Sequence, residues 1–278
     1  MKRELADYAA RAPEGFGYAV AREYLQARIL QHIGLSGQMM SLAFMGGTAL
    51  RFLYALPRYS EDLDFALDAG KENYAFDDVL AVIARGFERE GYTVEIKFKR
   101  SRTAVDKAFV KFPGLLHEVG LSPHVSEVLS VKVEVDTNPP EGAVLAVSEV
   151  RRFVLMRINH HDRASLLAGK LAAVLMREYT KGRDLYDLMW YLSDPLWPPP
   201  NLALLRNAAR QGGWDDPEGL DEGTWQAAVL RRLGDVDWAK VRTEAVQFLE
   251  RPMEADLLEL ATFERLLSIK SHSREDLH

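Results

Sequence analysis

The sequence predicts an α+β chain, with a mixed α/β domain over residues 1–160 followed by a helical domain over residues 161–278. Three observations lead there. The runs Tyr92–Lys99, Val105–Phe112 and Val128–Asp136 alternate polar residues with β-branched and aromatic ones, as strands with one buried face do. From Asp162 to Lys270 the apolar period turns helical, with little strand signal. Between Leu42 and Leu56 a short apolar run passes through two glycines into a helical pattern, which is how a strand-to-helix unit reads.

The elements follow in order. Tyr18 to Gly34 carries Tyr24, Leu25, Ile29, Leu30 and Ile33 at helical spacing, so a helix precedes the first strand, Leu42–Met45. A helix Ala49–Leu56 is ended by Pro57. The next strand, Asp62–Leu67, alternates acidic and apolar residues at its start. Phe76–Gly91 reads as an amphipathic helix closed by its glycine, and Asn138-Pro139-Pro140 ends the third of the alternating runs. In the second half, helices are expected at Leu166–Tyr179 with Asp162 as N-cap, and at Asp184–Leu192, Leu202–Gln211, Thr224–Leu233, Trp238–Leu249 and Leu257–Ile269. The segment from Asp194 to Pro200 must interrupt them because consecutive prolines cannot continue a helix, and the last eight residues read as a loose tail.

Composition sets limits. The 278 residues are 47% hydrophobic and contain no cysteine, so a packed core is available and neither disulfides nor thiolate metal sites are. The charged N-terminal residues lack the apolar centre of a signal peptide, and no run approaches the about 18 apolar residues of a membrane span, so a cytoplasmic protein without a membrane partner is expected. A formal net charge of −6 argues against indiscriminate nucleic-acid binding and leaves room for a local basic surface. No Ser-His-Asp order or nucleophile elbow points to acyl-enzyme chemistry.

The chemistry-bearing residues gather between Met45 and Phe65. Gly46 and Gly47 at a strand-to-helix junction let backbone approach a ligand, and the unpaired N–H groups of the following helix suit a phosphate. Strand period two puts Asp62 and Asp64 on one face, as hard oxygen ligands for Mg²⁺ beside that cradle. Metal-assisted phosphoryl or nucleotidyl transfer is the chemistry this suggests. In Val131–Asp136 the polar face carries Lys132, Glu134 and Asp136, and either Glu134 or Asp136 would supply a third carboxylate for a two-ion site. Lys170, within an otherwise apolar helix, either snorkels to solvent or projects into a cleft to hold triphosphate oxygens. Arg177, Lys181 and Arg183 follow it, and Asp184 and Asp187, three apart on one helical face, could orient Lys170 or a nucleophile, or make ion pairs. Lys97, Lys99, Arg100, Arg102, Lys107 and Lys111 on neighbouring strands, joined by Arg151, Arg152, Arg157 and Arg163, suit an RNA or DNA backbone; charged sheet edges explain them equally. His160 and His161, adjacent on an extended segment, point to opposite sides and are read as surface or capping residues.

These motifs resemble the AbiEii/AbiGii toxin family, nucleotidyltransferase-like proteins of phage-abortive-infection systems. The resemblance rests on GGTALRFLY (Gly46–Tyr54), RYSEDLDF (Arg58–Phe65), the strand VKVEVD and GKLAAVLMREYTKGRDLYDL (Gly169–Leu188). It implies a polymerase-β-like nucleotidyltransferase domain with a mixed sheet followed by an α-helical domain, a Mg²⁺-bound NTP, and transfer of nucleotides to an RNA acceptor, in characterised relatives the 3′ end of tRNA. Asp62 and Asp64 then stand for the metal carboxylates, Ser60 for the motif serine, Lys170 for the helix lysine, and Asp184 or Asp187 for the later aspartate. Thr48 stands where distant nucleotidyltransferases carry a serine that can meet phosphate. The resemblance also implies an antitoxin partner, typically a winged-helix DNA-binding protein. A protein or small-molecule hydroxyl as acceptor, or a non-catalytic nucleotide- or RNA-binding module, are the other readings.

Overall fold

The computed structural model of the protein describes residues 1–68, 74–98 and 104–272. It divides into two compact units. The first comprises Met1–Ala55, Tyr59–Pro139 and Ala146–His160; the second comprises Leu56–Arg58, Pro140–Leu145 and the residues from His161 onward.

The first unit is built on a seven-stranded mixed sheet. Its strands are β1 (Leu42–Met45), β2 (Asp62–Leu67), β3 (Glu95–Phe98), β4 (Val105–Pro113), β5 (Val128–Asp136), β6 (Leu145–Arg152) and β7 (Val154–His161). They lie in the order β3-β4-β5-β2-β1-β7-β6. β2 runs antiparallel to β1 and parallel to β5, so it is hydrogen-bonded on both sides, and β1 runs parallel to β7. The alternation read in the sequence is the burial pattern: Leu63, Phe65, Val131, Val133 and Val135 are fully buried, while Asp62, Asp64, Lys132, Glu134 and Asp136 lie half-buried on the other face. The first helices are α1 (Lys2–Ala10), α2 (Gly17–Leu35), α3 (Gly46–Tyr54), α4 (Phe76–Arg89) and the single turn α5 (Leu115–Glu118). α2 packs against α4 and β5. Edge-on ring contacts of Phe87 with Tyr92 and Phe112 continue that core, and Phe44 meets Phe65 across β1 and β2.

The second unit is helical: α6 (Arg163–Met176), α7 (Gly182–Ser193), α8 (Leu202–Gln211), α9 (Trp225–Leu233), α10 (Trp238–Val246) and α11 (Leu260–His272). Asp162 caps α6 as expected, its carboxylate accepting from the Ser165 N–H at 2.8 Å. α7 and α10 approach so closely at Gly182 that a Cβ there would run into the Val241 carbonyl and stand 3.0 Å from the Ala245 nitrogen. The proline break is ordered around Trp197, which is buried edge-on against Tyr191.

Among the described residues, four of the α-helices and strands lie outside the sequence expectations. The helix α1 buries only Leu5 and Ala9, too few to make a visible stripe. The strand β6 buries only Val150 well, so it lacks alternation, and β7 carries His160 on its buried side and the apolar Leu155 on its exposed one. The one-turn α5 is too short for any period to register.

Candidate active site

The first cluster lies on the polar face of the sheet in the first unit. Pairing sets Asp62 beside Lys132 and Asp64 beside Glu134 on β5, with Met45 flanking Asp64 on β1. Gly46 begins α3 with φ +77°, and a Cβ on it would fall on the Asp64 carboxylate, 3.1 Å from that residue's Cβ and Cγ. The glycine therefore does two things: it adopts a left-handed conformation and leaves the space in which Asp64 sits. Gly47 is buried one residue into the helix. The N–H groups of this first turn have no helical partners, so a helix start of the kind that suits a phosphate and two carboxylates meet within one β1-α3-β2 unit.

Thr48 departs from expectation. It is fully buried and its hydroxyl donates to the Asp62 carbonyl at 2.5 Å, so it fastens α3 to the first residue of β2 and does not present its hydroxyl to a phosphate. Ser60 is half-buried just before β2, with its carbonyl accepting from Gln26 Nε2 at 3.1 Å.

Of the two candidates for a third carboxylate, Glu134 is the register neighbour of Asp64, and both candidates have partners of their own. Glu134 is held by Lys132 at 2.6 Å and Lys107 at 3.1 Å, and Asp136 at the strand end accepts from the Asn138 N–H at 3.0 Å. Burial raises the Glu134 pKa, and hydrogen bonds from Lys132 and Lys107 outweigh it, leaving the carboxyl below its usual range. Lys132 is shifted upward: burial opposes its charge, but Glu134, Asp62 and Asp64 favour it more strongly. Among the described residues no group of three or more His, Cys, Asp or Glu side chains is placed to hold a metal ion. A carboxylate pair that leaves most coordination positions to water and substrate phosphates is nevertheless how Mg²⁺ is commonly held, so the pair fits that ion.

The second cluster lies inside the helical unit. Lys170 on α6 donates to Asp184 at 2.7 Å and stands 2.8 Å from Asp187, both on α7. Asp187 is fully buried and bidentate to Arg58, at 2.5 and 2.7 Å, while Asp184 also pairs with Arg177. Burial disfavours the Lys170 charge, but Asp184 and Asp187 more than reverse this and raise its pKa. Asp184 is likewise opposed by burial, yet Lys170 and Arg177 bring its pKa down to about 2. Of the sequence alternatives for these residues, the geometry supports ion pairing that orients Lys170. A group this weakly basic is a poor proton acceptor near neutrality. Arg183 stacks over Phe248, 4.4 Å from the ring centroid, on the wall of a cavity of ≈ 250 Å³ also lined by Tyr179, Lys181, Glu244 and Gln247.

Two other expectations change. His160 and His161 are buried rather than superficial; His160 Nε2 lies 2.9 Å from the Ser148 hydroxyl, across β6 and β7. The basic residues do not form one face: Arg152 pairs with buried Glu23, and Arg163 lies over Trp197, whereas Lys97 and Lys107 are exposed on β3 and β4. Lys99, Arg100 and Arg102 lie outside the described residues. Arg58 was missed as an anchor because nothing local marks it; only its partner, distant in sequence, reveals the role.

The mixed sheet with its glycine-led helix and paired aspartates, followed by a helical region, defines a nucleotidyltransferase-like fold. Two Helicobacter pylori crystal structures share it. JHP933 superposes with a TM-score of 0.55 at 19% identity, covering 93% of this chain and 96% of that one. A protein proposed to be a nucleotidyltransferase gives a TM-score of 0.54 at 20% identity, covering 91% and 96%. Residues 28–268 match the family described as nucleotidyl transferase AbiEii toxin, type IV toxin–antitoxin system, and the chain belongs to that family. No curated protein matches the sequence. Membership in a type IV toxin–antitoxin family implies an NTP substrate and an antitoxin partner. No described helix is long and apolar enough to cross a membrane.

Proposed function

We propose that the chain transfers nucleotides from an NTP to the 3′ end of an RNA, with tRNA as the acceptor, and that it thereby blocks translation until a winged-helix antitoxin restrains it. The observation that carries the nucleotidyl-transfer reading is the placement of Asp64 in the space left by Gly46, beside Asp62 and at the start of α3. The choice of tRNA and of a winged-helix partner rests on the family resemblance.

In this reading the acceptor's terminal hydroxyl gives up its proton to water, its oxygen bonds to the α-phosphorus, the bond from the α-phosphorus to the oxygen bridging to the β-phosphate breaks, and pyrophosphate departs. Asp62 and Asp64 hold Mg²⁺, which when bound neutralises phosphate charge and steadies the leaving group. The backbone N–H groups of Gly46 and Gly47 orient phosphate oxygens, and the resemblance adds Ser60 to these contacts. Thr48 and Gln26 act behind these groups, fixing the backbone on either side of Glu61. The resemblance assigns Lys170 to the triphosphate; Asp184 and Asp187 keep it cationic and fixed in direction, as such a contact requires. Catalysis of this kind is positioning and charge neutralisation, without a covalent enzyme intermediate.

The test is incubation of the protein with Mg²⁺, total tRNA and each labelled NTP in turn, with Asp62→Ala alongside. Label in tRNA that vanishes in the variant, while its melting temperature is unchanged, is expected. Label in protein would shift the acceptor to a protein hydroxyl, and NTP binding without any label would make the chain a binding module.

A further inference from the structure

The polar face that carries Asp62 and Asp64 continues across the sheet to an exposed aromatic ring. Strand register sets Lys97 on β3, Phe109 on β4, Lys132 on β5 and Asp62 on β2 in one row. The neighbouring row is Lys107, Glu134, Asp64 and Met45. Register partners project from the same side of a sheet, so Phe109 shares the face of the aspartates, two strands and about 10 Å from Asp62. Its neighbours Ala108 and Val110 are fully buried on the opposite face, whereas Phe109 is 43% exposed.

Lysines border the ring on all four sides. Lys97 and Lys132 flank it across the strands, and Lys107 and Lys111 flank it along β4. Glu134 pairs with Lys107 and Lys132, Glu95 is the register neighbour of Lys111, and Asp62 and Asp64 lie further along the rows, so around the ring itself four lysines meet two glutamates. Charge that protects a sheet edge would account for Lys97 on β3, the terminal strand. It accounts neither for lysines on β4 and β5, which are interior strands, nor for a phenylalanine among them. An aromatic ring within a cationic groove is the arrangement that binds single-stranded nucleic acid, the base stacking on the ring and the cations following the backbone.

We propose that this face is the acceptor platform. A base close to the 3′ end of a single-stranded RNA stacks on Phe109, its flanking phosphates lie on Lys97, Lys107 and Lys111, and the terminal nucleotide reaches toward Asp62 and Asp64. The proposal rests on RNA being the acceptor, and it adds which part of the RNA is gripped and by which residue. Duplex RNA, whose bases are already stacked on one another, cannot use the ring.

The experiment measures binding of a fluorescently labelled single-stranded RNA with a free 3′ hydroxyl, and of a blunt duplex of the same sequence, to the full chain and to Phe109→Ala, Phe109→Leu and Phe109→Trp. The ring is exposed, so each variant should melt as the parent does. Loss of one base stack is expected to weaken single-strand binding roughly tenfold or more in Phe109→Ala and Phe109→Leu, with Phe109→Trp retaining it and duplex binding unmoved. Lys97→Gln should flatten the plot of log affinity against log salt by about 0.7. Wild-type affinity in both Phe109→Ala and Phe109→Leu, or an equal loss on the duplex, overturns the platform. Nucleotide transfer with unchanged KM for RNA in Phe109→Ala would also overturn it while leaving the transferase reading intact. Ring-dependent single-strand binding without transfer by the parent would do the reverse.

Discussion

The carboxylate of Asp64 lies where a side chain on Gly46 would have to be. Replacement of this glycine by alanine therefore acts on the aspartate as well as on the backbone, because φ +77° is unfavourable for any L side chain, by roughly 1–2 kcal/mol. Gly46→Ala is expected to lower nucleotide incorporation by about a hundredfold, the usual consequence of displacing a reacting group by about 1 Å. Gly91→Ala, at a positive φ with open space around it, should show the strain without the loss of activity. Equal activity in both variants would mean that the Asp64 position does not matter.

The Arg58–Asp187 pair is buried on both sides, which makes its rupture costly. Asp187→Ala takes the bidentate partner from the buried Arg58 guanidinium and one of two carboxylates from Lys170, and a loss of about 3–5 kcal/mol is expected in urea unfolding of the chain. Joint replacement by apolar residues, Arg58→Met with Asp187→Leu, should recover most of it. If the single variant unfolds at the parental urea concentration, the pair contributes nothing to stability.

Acid should loosen the Lys170 cluster late. The folded pKa of Asp184, about 2, lies below its ordinary 3.8, so its stabilisation is complete above pH 4 and disappears as pH falls toward 2. The term is about 2 kcal/mol. Lys170 has the opposite sign: raised above 10.5, its contribution is full below that pH and lost in more alkaline solution. Asp184→Asn should flatten the acid limb of a stability-against-pH curve between pH 4 and 2; an unaltered limb would show that some other carboxylate governs it.

Thr48→Val retains the volume at a fully buried position but removes the donor to the Asp62 carbonyl. A loss of about 1–3 kcal/mol is expected, with Thr48→Ser recovering the bond. The informative readout is the Mg²⁺ dependence of incorporation. A shift to higher Mg²⁺ in Thr48→Val alone would show that the bond holds Asp62 in place, whereas a change only in melting temperature would confine it to folding.

Much of this was visible in the sequence where one residue type repeats with one period. The strands β2 and β5 could be read because Leu63, Phe65, Val131, Val133 and Val135 alternate with charges, and α8 because its apolar spacing matches a helix throughout. The strand-to-helix junction at Gly46-Gly47 was legible because an apolar run passes there into a helical pattern. What stayed hidden depends on partners far along the chain. Nothing near Arg58 announces Asp187, and nothing near Phe109 says that its face is the exposed one, because strand alternation leaves open which side the helices will cover. Glu134 looked as suitable as a metal ligand as its neighbours until register brought Lys107 against it.

Because β2 is laced to β1 on one side and β5 on the other, the two aspartates sit on a strand with no free edge. Backbone amides in such a strand, backed by fully buried Leu63 and Phe65, exchange with solvent only when the whole unit opens. Under the proposed chemistry, the aspartate pair could therefore not be silenced by local melting, as a loop-borne site can. A partner that blocked the proposed chemistry by binding here would have to cover the face or compete for it, slowing exchange at the sheet surface while leaving β2, already at its limit, unchanged.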